Sequence, residues 1–485
     1  MNDRIPRTIR IDDGWSIPAA DGVHRRTLVE GTAWSVPVIA MSFATPAAAA
    51  SGTPTLKFTK SSYSGKACGT ITGVQVKRTT DGTTADSGKT ITVTLKDGYT
   101  FRGGTTTYSG TTNAEGLISL PDIAVPAKGG NSSFSASSES LSTSAPVAAA
   151  TETPGTPFSN GTRVTGLPSG VKATQITREN AGGSLYIYVR GDDGLIYRSI
   201  NSAALTAVTK KTSDDGSDTT ALAGSLYASA QGEQFAYIST AGVPYNQASA
   251  LTGLPKGVKA AQITRENAGD NLYIYVLGDD GLIYRSKNSS ALTAVTSVKA
   301  KKGSLYTSAS GQQFAYVSED GVPYNQASAM NGLPKGVKAT RITRENTDTL
   351  YIYVQGDDGI IYRSINSSDL TAVTKAKADD GSDTTALDGS LYASSGGEQF
   401  AYVTKAGVPY NQTTALTGLP RGVKAKQITR ENAGSLYIYV LADDGIVYRS
   451  VNSGALTAQT SGGALEGSLY ASAKGEQYAW IGPAC

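Results

Sequence analysis

The sequence predicts an all-β chain in which a β-sandwich precedes a closed ring of eight β-modules, and three observations carry that prediction. The first is repetition. GDDGLIYRS at residues 191–199 returns as GDDGLIYRS at 278–286, GDDGIIYRS at 356–364 and ADDGIVYRS at 442–450. The second is a diverged cousin between those copies: TAGVPYNQ from Thr240, EDGVPYNQ from Glu319 and KAGVPYNQ from Lys405. Both versions read as strand, Gly turn, two apolar residues, aromatic, and Gly supplies the positive φ that a tight hairpin needs. The third is closure. The hairpin aromatics Tyr197, Tyr245, Tyr284, Tyr324, Tyr362, Tyr410 and Tyr448 number seven, and the last module ends at Cys485 before its hairpin partner. TPFSNGTRVTGLP at 156–168 aligns without a gap on VPYNQASALTGLP at 243–255, which puts Phe158 under Tyr245. The N-terminal piece therefore completes the C-terminal module. That is how a β-propeller closes its ring, whereas a linear solenoid ends in polar caps at both termini. Eight modules of roughly forty residues have the size of propeller blades.

Taken in order, residues 1–50 read as an export leader. Arg25-Arg26 is followed by Thr27, Leu28 and Val29, by the weakly apolar stretch GTAWSVPVIAMSFA, and by the small-residue run TPAAAAS. This arrangement resembles a twin-arginine (Tat) signal peptide with cleavage near Ala50. It departs from the usual pattern at Val29 and Glu30, and a Sec-type signal is the alternative. Either signal implies a secreted protein, and no LPxTG-type anchor follows the ring. Residues 51–144 read as a separate β-sandwich. In KTITVTLKDGYTF, Ile91, Val93 and Leu95 alternate with Thr90, Thr92 and Thr94, the pattern of a half-buried antiparallel strand. Asp81-Gly82 and Asp97-Gly98 mark turns, and GLISLPDIAVP and SSFSASS supply later strands. This region resembles the immunoglobulin-like modules of secreted Gram-positive proteins, which implies a spacer or a docking surface. APVAAATETPGT at 145–156 reads as a linker. Residues 157–485 form four double-module repeats. In LYIYV, Leu185, Ile187 and Val189 face one side and Tyr186 and Tyr188 the other, so both faces should be covered.

Composition removes several functions. The net charge of +3 argues against nucleic acid as the main partner. No run of eighteen apolar residues follows the leader, so no membrane span is expected. The only histidine is His24, inside the leader. Without histidine the remaining chain runs no Ser-His-Asp or Cys-His mechanism and builds no His-ligated zinc site. Cys68 and Cys485 are the only cysteines, and export allows them to form a disulfide. No cofactor is implied.

The leading candidate for binding is the TREN cluster: Arg178, Glu179 and Asn180; Arg265, Glu266 and Asn267; Arg344, Glu345 and Asn346; Arg430, Glu431 and Asn432. Arg, Glu, Asn and a nearby Tyr form the usual set for hydrogen-bonding sugar hydroxyls while a ring stacks on the sugar face. The same residues can instead cap a strand end and pair with a neighbouring Asp. A second cluster is Asp192, Asp193, Tyr197, Arg198 and Asn201 with its copies. Its D-x-G-x-x-aromatic spacing resembles the Asp-box hairpin of sialidase-type propellers, with Arg190 where that motif has Ser or Thr, and the resemblance implies a structural role. The inserts with Asp214, Asp215 and Asp218, and with Asp379, Asp380 and Asp383, have oxygen ligands suited to calcium, but their spacing matches no EF-hand. The repeats with their DGxxY hairpins resemble tectonin and fungal-lectin-type sugar-binding propellers. That resemblance implies a non-enzymatic, multivalent, lectin-like protein that binds a carbohydrate or cell-wall polysaccharide. Two other readings stand beside it. One is a structural or adhesive scaffold that binds a surface protein. The other is a glycan-degrading enzyme working with carboxylates alone, although no module carries a singular catalytic set.

Overall fold

The computed structural model describes residues 53–483 except 103, 127–128, 151–153, 229–233, 308–312, 347, 394–398, 461–462 and 472–476. The expected leader and Cys485, and with it the Cys68–Cys485 pairing, lie outside the described residues. The described chain is all-β, and none of its helices is long and apolar enough to cross a membrane. Two compact units divide between residues 151 and 152.

The N-terminal unit builds three sheets around one core. A five-stranded sheet has the order Tyr63–Lys66, Leu141–Ala150, Gly130–Ser138, Thr90–Thr94, Thr107–Thr111. Ile91 and Val93 are fully buried while Thr90 and Thr94 are exposed, as the alternation requires. They pack with Val76, Ile123 and Phe134 from the other strands. Arg78 is buried with its charge compensated: Nε donates to Asp86 at 2.8 Å and Nη2 to Glu139 at 2.5 Å. One boundary differs from the sequence expectation. The first half of the stretch expected as a 145–156 linker belongs to the strand Leu141–Ala150. Ala145, Val147 and Ala149 alternate inward into the core, and a strand that buries small residues has the same composition as an Ala-Pro linker.

Among its described residues the second unit contains eight four-stranded antiparallel sheets. The first sheet runs Ala173–Ala181, Ser184–Gly191, Ile196–Ile200, Thr206–Ala207, and six more follow in chain order up to Thr457–Ala458. The eighth has the order Thr162–Arg163, Thr156–Ser159, Tyr478–Gly482, Tyr470–Ala471. Its third and fourth strands therefore come from the start of the unit and its first two from the end. The first strand of each sheet touches the first strand of the next, and the eighth, Tyr470–Ala471, touches Ala173–Ala181 again. The first strands thus form a closed inner circuit, and the unit is a β-propeller.

Aromatic pairs show why the chain ends meet. Tyr237 stacks on Tyr245 at 4.9 Å, Tyr316 on Tyr324 at 4.9 Å and Tyr402 on Tyr410 at 5.2 Å. In the eighth sheet Trp480 takes the first place and Phe158 the second, stacked at 4.2 Å with ring planes 7° apart. The two sit directly opposite in the strand register, so the gap-free alignment of Phe158 on Tyr245 is borne out. Both faces of LYIYV are covered, also as expected. Ile187 and Val189 pack on Ala479 and Ile481 of the eighth sheet, while Tyr186 and Tyr188 pack on Phe235 and Tyr237 of the second.

Candidate functional site

In each DDG hairpin the second aspartate is satisfied within its own turn, and the first accepts from a lysine backbone N–H that precedes the sheet's first strand. Asp193 accepts a hydrogen bond from the Tyr197 hydroxyl at 2.6 Å and from Leu195 N–H at 3.1 Å, and Gly194 has φ 79°. The same Tyr–Asp bond recurs at Tyr284–Asp280, Tyr362–Asp358 and Tyr448–Asp444, each 2.6 Å. A carboxylate that ties its own turn to its own ring has little left for a ligand, which agrees with a structural role. The acidic inserts are likewise satisfied locally: Asp215 by Ser213 and Ser217, and Asp380 by Ser382. Among the described residues no group of three His, Cys, Asp or Glu could hold a metal ion.

The four TREN clusters lie on the inner strands of the first, third, fifth and seventh sheets, and their exposure is the informative fact. Arg265, Arg344 and Arg430 are 1% exposed and Arg178 is 2% exposed. The four glutamates are also buried. Asn180, Asn267 and Asn346 are half-buried and Asn432 is exposed. Among the described residues the Arg and Glu meet the following side chains of the preceding sheet. Nε of Arg265, Arg344 and Arg430 donates to Asn246, Asn325 and Asn411 at 2.9–3.0 Å. Each of those asparagines passes the contact on through Nδ2 to Ser289, Ser367 or Ser453 at 3.0–3.2 Å. These serines have φ of 61–64°, and each follows an asparagine that is also at positive φ. The bond holds a conformation that serine adopts at some cost. At the closing junction Ser159 replaces the asparagine and accepts from Arg178 Nε at 2.9 Å. Gln477, Gln313 and Gln399 accept from Arg178, Arg344 and Arg430. Gln477 also accepts from Asn180 Nδ2 at 2.8 Å. Burial pushes all four guanidinium pKa values down to about 10, so they remain charged at neutral pH.

The glutamates meet a second ring of partners. Tyr470 donates to Glu179, Tyr227 to Glu266, Tyr306 to Glu345 and Tyr392 to Glu431. Each bond crosses from an inner strand to the next inner strand. Burial, with the neighbouring carboxylates Glu266 and Glu431 adding to it, raises the Glu179 pKa to about 8, and the same causes raise Glu345 to about 8. Four carboxyls and four phenols therefore line the inner circuit, close enough to feel one another.

Sequence reasoning missed Gln477, Gln313 and Gln399, and also the asparagines of VPYNQ. Their signal was present: the glutamine recurs at a fixed place in the even modules, in GEQF, GQQF or GEQY, and the asparagine in PYN of three of them. Replacing Arg430 with Ala strips Asn411 and Gln399 of a charged donor and leaves Glu431 without its neighbouring cation. The expected loss is about 3 kcal/mol, read as a lower urea midpoint, with Arg430→Lys losing less. A neutral result would mean that the guanidinium does not join the sixth and seventh sheets.

No family model and no curated protein matches the chain. Among solved structures it is similar to BBS1N in complex with ARL6DN (12% identity over 67% of this chain and 95% of that one, TM-score 0.34). It is also similar to the Dos1 propeller (11% identity, 64% and 78%, TM-score 0.35) and to the SapL1 lectin in complex with alpha methyl fucoside (14% identity, 59% and 94%, TM-score 0.29).

Proposed function

We propose that this chain is an exported, non-enzymatic binding protein, with an immunoglobulin-like module ahead of an eight-bladed propeller that presents equivalent weak sites for a carbohydrate or cell-envelope polymer. One observation carries the reading. The same network of Arg, Asn or Ser, Glu and Tyr joins four junctions of one closed ring, and each junction carries a TREN asparagine that is half-buried or exposed where the Arg and Glu beside it are buried. Within it the buried Arg and Glu set the geometry of each junction, and the asparagine with its surroundings offers the hydrogen bonds. Four weak sites on a rigid ring gain avidity on a repeating polymer, about 100-fold or more over one site. The carboxylates that a glycosidase would use are buried and bound by tyrosine hydroxyls, which favours binding over hydrolysis.

The test is a glycan and cell-wall polysaccharide array probed with residues 51–485, beside the quadruple variant Asn180→Ala, Asn267→Ala, Asn346→Ala and Asn432→Ala. These changes leave the buried charges in place. Saturable binding to one glycan class by the parent, weakened at least about 100-fold in the variant, is the expected result. A blank array with a folded ring would shift the reading to a protein-binding scaffold. That second reading has an observation of its own. Val243, Val322 and Val408 stand 36–38% exposed at equivalent hairpins, a repeated apolar display that a sugar site does not need.

A further inference from the structure

Among the described residues edge strands are kept short or charged, with one exception. In the ring every outermost strand is two residues long, as at Thr206–Ala207 and Thr457–Ala458. In the N-terminal unit the four-residue edge strands Thr55–Phe58 and Tyr63–Lys66 carry the exposed Lys57 and Lys66. Both devices discourage pairing with another chain. Thr107–Thr111 has neither. It is five residues long, forms one edge of the five-stranded sheet, and lies within residues 103–114, which contain no charge and no proline. Its register with Thr90–Thr94 is regular, so no bulge twists it away.

The bonds to Thr90–Thr94 fix which backbone groups are left over. Leu95 N–H donates to Thr106 C=O at 2.8 Å and Thr112 N–H to Lys89 C=O at 2.9 Å. Antiparallel pairs alternate between bonded and non-bonded, so the even residues from 106 to 112 turn their N–H and C=O toward the sheet. Thr107, Ser109 and Thr111 turn theirs outward, and among the described residues no strand pairs with them there. We propose that this edge pairs antiparallel with the same edge of a second copy of the chain, about a twofold axis at Ser109. In that register Ser109 exchanges two bonds with the partner's Ser109, and Thr107 exchanges two with the partner's Thr111 on either side, so every outward group is used. The exposed face sets Ser opposite Ser and Thr opposite Thr, pairs that hydrogen-bond across a seam. On the inner face Tyr108 comes opposite the partner's Gly110. Within one copy the Tyr108 ring already lies over Gly110, 3.2 Å from where a Cβ would stand. The largest side chain of the strand thus meets the one position that has none, and no charge opposes its like. An unrelated extended segment would find the same backbone groups without this match, whereas the strand is complementary to itself.

The test is register-specific cross-linking of the full chain. Residues opposite each other in a hydrogen-bonded pair have Cα atoms about 5.5 Å apart, within the reach of a disulfide. Ser109→Cys is therefore expected to give a covalent dimer under mild oxidation, read on a non-reducing gel beside the parent, whose Cys68 and Cys485 set the background. Thr111→Cys faces the partner's Thr107 and should stay at background, while mixing Thr107→Cys chains with Thr111→Cys chains should restore the dimer. Without a new cysteine, the sedimentation mass of the parent should rise with concentration toward twice that of one chain. Ser109→Pro should stay monomeric where the parent is half dimeric. Proline there removes only an outward N–H, so the bonds to Thr90–Thr94 and the melting temperature should be kept. Ser109→Lys sets two like charges on the axis and should act the same way without touching the backbone. A parent that stays monomeric, a Ser109→Cys chain no more cross-linked than Thr111→Cys, or a dimer that survives both Ser109→Pro and Ser109→Lys overturns the pairing.

Discussion

Removing residues 151–164 is expected to red-shift the emission of Trp480 and lower the melting temperature of the ring. Measured on residues 51–485, the signal is clean because Trp480 is the only tryptophan after Trp34. The deletion takes away Thr156–Ser159, which pairs with Tyr478–Gly482 from Thr156↔Gly482 to Ser159↔Ala479. It also removes Phe158, which stacks on Trp480 and packs with Tyr439, Leu441 and Val447 of the seventh sheet. The eighth sheet would keep two of its four strands and expose an open edge. A milder change isolates the ring contact from the strand. Phe158→Ala leaves the backbone ladder in place and should cost about 3–5 kcal/mol, the usual range for emptying a buried aromatic site. If neither variant changes the Trp480 spectrum or the melting temperature, the two chain ends do not complete one sheet.

The closure was legible in the sequence because it rests on order and spacing. An aromatic at a fixed distance from a Gly turn marks the third strand of a module, and seven such marks with an eighth at the other end leave one arrangement. The alternation in LYIYV was legible for the same reason, since period two assigns faces without knowing the neighbours. The TREN residues show where that kind of reading stops. Arg178 and Glu179 look like a solvated charge cluster at a strand end. Whether such a pair meets water or another sheet depends on which strand lies innermost, and repetition in one chain does not encode that. Once Ala173–Ala181 is placed on the inner circuit, Arg178 and Glu179 must be buried, and they need Ser159, Gln477 and Tyr470 as partners. Gln477 and Tyr470 lie 299 and 291 residues away in sequence, beyond the reach of any local pattern.

The stability of the ring should fall as the pH rises from about 5 to about 8, the reverse of most carboxylate effects. Glu179 and Glu345 have pKa values raised to about 8, first by burial and then by Glu266 and Glu431, with the Tyr470 and Tyr306 hydroxyls and the charges of Arg178 and Arg344 pulling the other way. In the unfolded chain a glutamate titrates at about 4.3. Between those two values the folded state holds the proton and the unfolded state does not, so the folded state binds more protons and stability declines with pH. The full stabilisation is present below the unfolded pKa and is lost as the pH passes the folded one. A shift of this size is on the order of 4–5 kcal/mol for each carboxyl, enough to dominate the profile across this window. The arginines do not reverse it, because with pKa values of about 10 they stay charged throughout. Exposed carboxylates whose pKa is depressed, such as Asp215 at about 2, act only at lower pH and in the opposite sense. The double variant Glu179→Gln and Glu345→Gln keeps an oxygen for the Tyr470 and Tyr306 hydroxyls and removes the titration of these two carboxyls. Its urea midpoint should fall less between pH 5 and 9 than that of the parent and should exceed it at the alkaline end. Amide exchange would place the loss in the parent, with the inner strands Ala173–Ala181 and Ala339–Asn346 losing protection at pH 9 before the outer strands do. A flat parent profile, or a slope undiminished in the double variant, would mean that Glu179 and Glu345 are already ionised in the folded ring. The Tyr470 and Tyr306 hydroxyls would then be holding those two negative charges within the inner circuit.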